Sequence, residues 1–152
     1  MILLGVDPGR SKFGWAFVSE DQTLLFAGIT PTAVLEEWGR RIRDERWQEL
    51  TPWSTEGNFG AVGHFPGRFL LGKGTARQPF QALLEFHGWG VVLVDERNST
   101  LEARELYRLL HPPRGWRKLL PPTLFPPSRD LDDLAAWGVV RRFLAALPSP
   151  SR

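Results

Sequence analysis

The sequence predicts a mixed α/β fold in which an antiparallel strand meander joins parallel strands through helical crossovers. Three observations predict it. Residues 2 to 29 hold three consecutive strand patterns, the following hundred or so alternate apolar strand with amphipathic helix, and two apolar strands end on acidic residues. In open α/β sheets the functional crevice lies at the carboxyl ends of strands, so those acids fall where chemistry is expected.

The elements follow in order. Residues 2 to 6 are a Val/Ile/Leu strand, 13 to 18 alternate around Phe13, Trp15 and Phe17, and 23 to 29 form a third strand after a turn at Glu20, Asp21 and Gln22. Thr30 before Pro31 is an N-cap and first-turn signal, and Val34, Leu35, Trp38 and Ile42 recur at helical spacing through about residue 46. From about 48 to 67 the chain is rich in Gly, Pro, Ser and Thr and is expected to be a flexible, functional flap. Next come a short strand at 69 to 72 and a helix at 76 to 87 with Phe80, Leu83, Leu84 and His87 on one stripe. A buried strand follows at 91 to 94. Ser99 with Glu102 three residues on reads as a capping box opening a helix that turns Ala103, Leu106 and Leu110 inward and stops before Pro112. A Pro-rich connection at 111 to 127 leads to the last helix, about 130 to 147.

At 152 residues the chain fits one domain, expected over 1–147 with a loose tail at 148–152. Its 42% hydrophobic and 24% charged residues are ordinary globular usage, which excludes wholesale disorder. Without cysteine, any metal must be held by oxygen or imidazole. No apolar run approaches the roughly 20 residues of a membrane helix, and no basic flank precedes the first strand, so a cytoplasmic protein without a membrane partner is expected. The net charge is only +2, but positive residues cluster at 40 to 46, at 114 to 118 and at Arg141 and Arg142, patches suited to phosphates or to solvated helix ends.

The acids are more specific. The first strand ends at Asp7 ahead of Pro8 and Gly9, and 91 to 94 ends at Asp95 and Glu96. On the last helix Asp132 and Asp133 fall at the two margins of the stripe Ala136, Val140, Phe143 and Leu147, while Asp130 points further away. Taken singly, each has a structural role open to it: Asx turn for Asp7, N-cap for Asp130, helix-dipole partner for Asp132 and Asp133. Together, carboxylates gathered from two strand ends and a helix form a like-charged site that divalent cations would stabilise, and oxygen ligands suit magnesium or manganese. Two such ions activate water and stabilise a leaving oxygen in phosphodiester hydrolysis.

The segments DPGRSKFGWA (7 to 16), DERNSTLEA (95 to 103) and DDLAAWGVVRRFL (132 to 144) resemble, in order and spacing, the signature segments of the YqgF/RuvX family of RNase H-like nucleases related to the RuvC resolvase. The resemblance implies an RNase H-like fold, with a central five-stranded mixed sheet of order 3-2-1-4-5 flanked by helices. It also implies a two-metal endonuclease acting on structured nucleic acid, with maturation of precursor 16S ribosomal RNA or resolution of four-way (Holliday) junctions as the named activities. Carried over residue by residue, the resemblance implies Asp7 and Glu96 as catalytic metal ligands and Asp132 as the third, with Asp133 a close rival because Asp130 and Asp133 are similar to the D-x-x-D of the resolvases. Lys12 stands where the family often has Arg. The middle segment FLLGKGTAR (69 to 77) departs from the family's Gly-Leu-Pro stretch and is closer to the YqgF-like domain of Tex transcription factors, and Asn98 replaces a frequent Leu.

Lys12, Lys73, Arg97, Arg114, Arg117, Lys118, Arg141 and Arg142 are the candidate nucleic-acid contacts, Lys73 through the GKGT stretch at the next helix start. His64, His87 and His111 lack metal-ligand spacing, and Trp53 and Trp116 are placed to pack or to stack on a splayed base. A homodimer would suit a junction substrate. Two rival readings stand beside the nuclease: a non-catalytic nucleic-acid-binding module of the same fold, and half of an actin or sugar-kinase type ATPase.

Overall fold

A computed structural model describes residues 1–96, 99–121, 127 and 129–148. Six strands, β1 (Ile2–Asp7), β2 (Lys12–Ser19), β3 (Leu24–Pro31), β4 (Ser54–Gly57), β5 (Arg68–Gly72) and β6 (Val91–Val94), form one sheet in the order β4-β3-β2-β1-β5-β6. β1 to β4 pair antiparallel, and β5 and β6 run parallel to β1. Helices α1 (Leu35–Arg43) and α2 (Gln78–Phe86) cover one face, and α3 (Ser99–Leu110) and α4 (Asp132–Ala146) the other. The five expected strands are present in the expected order. β4 is an addition, laid on the free edge of β3.

The two faces differ in bulk because the strands alternate large and small residues. Ile2, Leu4 and Val6 of β1 and Phe13, Trp15 and Phe17 of β2 point to the α1/α2 side, where Trp15 meets Phe26 edge-on with ring centroids 5.0 Å apart. The opposite side carries Leu3, Gly5, Gly14, Ala16 and Ala27, and α4 descends onto it. A Cβ at Gly5 would collide with the Ala136 carbonyl, and one at Gly14 with the Asp132 carbonyl. Asp7 shares the side of Leu3 and Gly5 by the two-residue strand period, so β1 delivers its terminal acid toward the start of α4.

Four local expectations are corrected. Residues 48 to 67 are ordered: a 3-10 stretch at Trp47–Trp53, β4, and a 3-10 turn at Phe59–Ala61 place Leu50 and Val62 in the core and pack Trp47, Trp53, Phe59 and Phe65 against it. Apolar anchors every few residues hold this segment despite its composition. Thr30 lies inside β3, not at a helix cap, because its buried hydroxyl accepts a 2.9 Å hydrogen bond from Trp15 Nε1; the chain then makes a 3-10 turn at Thr32–Val34 before α1. The Ser99–Glu102 capping box is replaced by a longer-range contact, with the Ser99 N–H donating to the Glu96 carbonyl while Glu102 pairs with Arg142. β6, expected to be buried, is an edge strand whose first three residues are half-buried.

Candidate active site

Asp7 ends β1 directly opposite Gly14 of β2, and Gly14 is where the first turn of α4 touches the sheet. This close approach is the reason a glycine is required there: any side chain would push away the turn that carries Asp132. Glu96 arrives from the other direction, two residues beyond β6, and its carboxylate folds over Gly72 and Gly74. A Cβ at Gly72 would collide with Glu96 Oε1. The main chain of β5 therefore forms the floor beneath this carboxylate.

The electrostatics match the crowding. The Asp7 carboxyl is pushed up to about 8, first by burial, then by its hydrogen bond to Glu96 and by the negative charges of Glu96 and Asp132, with Arg142 pulling the other way. Burial also raises Asp132, opposed by Lys12 and assisted by Asp130 and Asp133. Lys12 Nζ is ion-paired with Asp130 and lies 3.9 Å from Asp132 Oδ2. Asp7, Lys12, Asp130 and Asp132 line a cleft of about 370 Å3 whose walls also include Ser99, Arg104, Pro127 and Arg129.

Asp133, one residue on, faces elsewhere. It is 0% exposed and accepts from Thr55 Oγ1 at 2.6 Å and from Arg129 Nη1 at 2.9 Å. The Arg129 guanidinium also donates to Glu56 Oε2 at 2.7 Å, and His111 Nε2 lies 2.8 Å from the same oxygen. This network ties β4, the end of α3 and the start of α4 together. Asp133 is thus fully engaged by protein, and Asp132 is the member of the pair that lines the cleft.

Among the described residues no set of three or more His, Asp or Glu side chains is gathered closely enough to hold a metal ion as it stands. Asp7 and Glu96 touch, while Asp132 acts on Asp7 through its charge. The donor chemistry nevertheless fits a hard divalent cation. Glu96 Oε1 is buried without a hydrogen-bond partner, a costly state that a cation would relieve, and the carboxyl beside it holds its proton unusually tightly.

The remaining predicted residues fall in different places. Arg142 is largely withdrawn into the protein, with its Nε donating to the Asp95 carbonyl at 2.7 Å and its Nη1 paired with Glu102; Nη2 is buried and unused. Arg141 lies against Gln22 and the Trp137 ring. Lys73 is exposed, and its backbone N–H donates to the Val94 carbonyl. Arg114, Arg117 and Lys118 are exposed on the connection after α3, and Arg97 lies outside the described residues. His64 contacts the Phe65 carbonyl, and His87 stacks on Trp89 with centroids 4.5 Å apart. Trp53 packs on the core beneath the Arg41 guanidinium, 4.5 Å from its ring centroid.

Sequence reading missed the network of Thr55, Glu56 and Arg129. Arg129 stands four residues before Asp133, an ion-pair spacing that was readable, but Thr55 and Glu56 meet them only because β4 joins the sheet. Arg104 on the cleft wall carried no motif.

No family model matches the chain, and no curated protein matches it. Solved structures do. RuvC of Thermus thermophilus superposes with a TM-score of 0.50 at 13% identity, over 96% of this chain and 95% of that one. A second structure, T. thermophilus RuvC in complex with a Holliday junction substrate, gives 0.49 at 15% identity over 91% and 89%. At such identity the likeness concerns architecture, and it agrees with the strand order described above: the protein has the RNase H-like fold seen in RuvC.

Proposed function

We propose that this protein is a metal-dependent endonuclease of the YqgF/RuvX type that hydrolyses phosphodiester bonds in structured nucleic acid. One observation carries the reading: at the carboxyl ends of β1 and β6, Asp7 and Glu96 are pressed together, with a buried, unsatisfied carboxylate oxygen and Asp132 alongside. A fold needing only stability would not gather like charges there, since each buried charge costs several kcal/mol (about 3 to 5 when left uncompensated).

Asp7 and Glu96 would hold magnesium or manganese, and Asp132 would complete the acidic wall. When bound, such ions lower the pKa of water and stabilise a leaving alkoxide. Lys12 stands at the mouth of the cleft, where exchange of Asp130 for a phosphate oxygen would hold the backbone next to the carboxylates. Arg104 and Arg129 add positive charge to the same walls. Asp133 has no ligand role in this scheme; it anchors the turn that presents Asp132.

The test is a panel of single-stranded RNA, precursor 16S ribosomal RNA and four-way DNA junctions incubated with manganese. Wild-type protein should nick at least one of them and Asp7→Asn none. Cleavage persisting in Asp7→Asn with metal present would end the proposal. The second reading, a non-catalytic binding module, is favoured by one feature: Asp132 is drawn toward Lys12 and not gathered with Asp7 and Glu96 into a three-ligand group. Tight binding without metal-dependent nicking of any substrate would select it.

A further inference from the structure

The stretch between α3 and the cleft departs from the rest of the surface. Every residue from 111 to 121 is exposed, and among them Trp116 is 64% and Leu119 86% exposed. Contiguous exposed apolar groups rimmed by polar or charged residues mark contact sites. Arg114, Arg117 and Lys118 flank Trp116 in the sequence, with no acid from Pro112 to Pro121. The 3-10 turn Gly115–Leu119 begins at Gly115, whose φ of +63° lies in the left-handed region, and the Arg117 guanidinium lies 5.8 Å from the Trp116 centroid. Downstream, the chain leads into Pro127 and Arg129 on the cleft wall.

A flat ring interleaved with three cations over residues 114 to 118 has the chemistry that grips single-stranded nucleic acid, in which bases stack on aromatic rings while phosphates meet Lys and Arg. We infer that residues 114 to 118 form an arm that stacks Trp116 on an unpaired base of the substrate and holds its flanking phosphates through Arg114, Arg117 and Lys118. The inference rests on the nucleic-acid reading above and narrows it: the preferred substrate carries a base free to leave its stack near the scissile bond. Of the two tryptophans that could stack by sequence, Trp53 is packed on the core, whereas Trp116 is 64% exposed. An anionic lipid surface would also accept Trp, Leu and basic residues, but interfacial anchoring relies on an extended amphipathic helix, and only five residues are helical here.

Binding is measured by fluorescence anisotropy in EDTA, so that cleavage cannot intervene, with a labelled RNA stem carrying an unpaired bulge, a four-way DNA junction and a continuous duplex of equal length. Trp116→Ala should weaken binding to the bulged stem, the junction or both by about 5- to 150-fold and change duplex binding less than about twofold, whereas Trp116→Phe should retain most of the affinity. Replacing Arg114, Arg117 and Lys118 by Gln should weaken all three substrates and lower the salt slope by about one per cation. Unchanged thermal melts exclude misfolding. The inference is overturned if Trp116→Ala binds as wild type, if it loses affinity equally for all substrates, if wild type binds none, or if only binding to phosphatidylglycerol vesicles depends on Trp116. Manganese-dependent nicking by wild type reports separately on the nuclease reading: nicking with a silent Trp116→Ala rejects the arm alone, and Trp116-dependent binding without nicking supports the arm while rejecting the catalysis.

Discussion

Asp7 concentrates the chemistry at the scale of single residues. In the folded protein its carboxyl titrates near 8, against about 3.8 in the unfolded chain, so between those values the native state keeps a proton that the unfolded state has released. Stability contributed by that proton is fully present below about pH 4 and is lost as pH rises toward 8. Asp7→Asn should therefore leave stability unchanged near pH 4 and raise it by up to a few kcal/mol at pH 8, as read from urea melts at the two pH values. A divalent cation competes with the same proton: manganese should raise the melting temperature of wild type more at pH 8 than at pH 6 and leave Asp7→Asn nearly unmoved. Arg142 has the opposite part. It draws the Asp7 pKa down and pairs with Glu102 in a space that exists because position 138 is glycine. Arg142→Met should cost about 2 to 4 kcal/mol in chemical denaturation by leaving the Glu102 carboxylate without its ion-pair partner. Its role as a phosphate contact was suggested by its basic neighbour on the helix; a partner 40 residues away was invisible at that range.

Between elements, the decisive contact is α4 on β1 and β2. Small residues at Gly5, Gly14 and Ala16 let the helix backbone reach the sheet, and this brings Asp132 to Asp7. Gly14→Ala should destabilise the protein by about 1 to 3 kcal/mol, because the obstructing atoms are main chain and cannot rotate away. If the site depends on this seating, the same substitution should abolish nicking under conditions where the protein remains folded by circular dichroism. The Asp133 network fixes the same turn from the β4 side. Asp133→Ala should cost about 2 to 3 kcal/mol by removing the hydrogen bonds it accepts from Thr55 and Arg129, with Glu56 left as the partner of Arg129, while Arg129→Ala together with Asp133→Ala should cost less than the sum of the two single changes, a coupling a double-mutant cycle would measure. Helical period could place Asp132 and Asp133 only at opposite margins of one stripe. Which of them met the cleft depended on β4, four polar or small residues (STEG) without apolar alternation, recruited by backbone pairing to β3.

For the whole molecule, a net charge of +2 creates little overall attraction for nucleic acid, so the proposed binding would have to come from local cations and should fall steeply with salt in a titration from 50 to 200 mM. A flat salt dependence would contradict the proposed phosphate contacts. What the sequence by itself determined was the alternation of strands and helices, five of the six strands, and the acids at two strand ends, because each is written in a local apolar period or in the residue that terminates it. It also carried the large-and-small alternation of β2 that assigns the bulky face to α1 and α2 and the narrow face to α4. Only the tertiary structure decided that residues 48 to 67 are anchored and not a flap, that Thr30 belongs to a strand, that Asp133 is buried against Thr55 and Arg129, and that Arg142 is turned inward. Each of those outcomes depends on partners brought from distant parts of the chain, and contact energies of that kind override a propensity worth at most about 1 kcal/mol per residue.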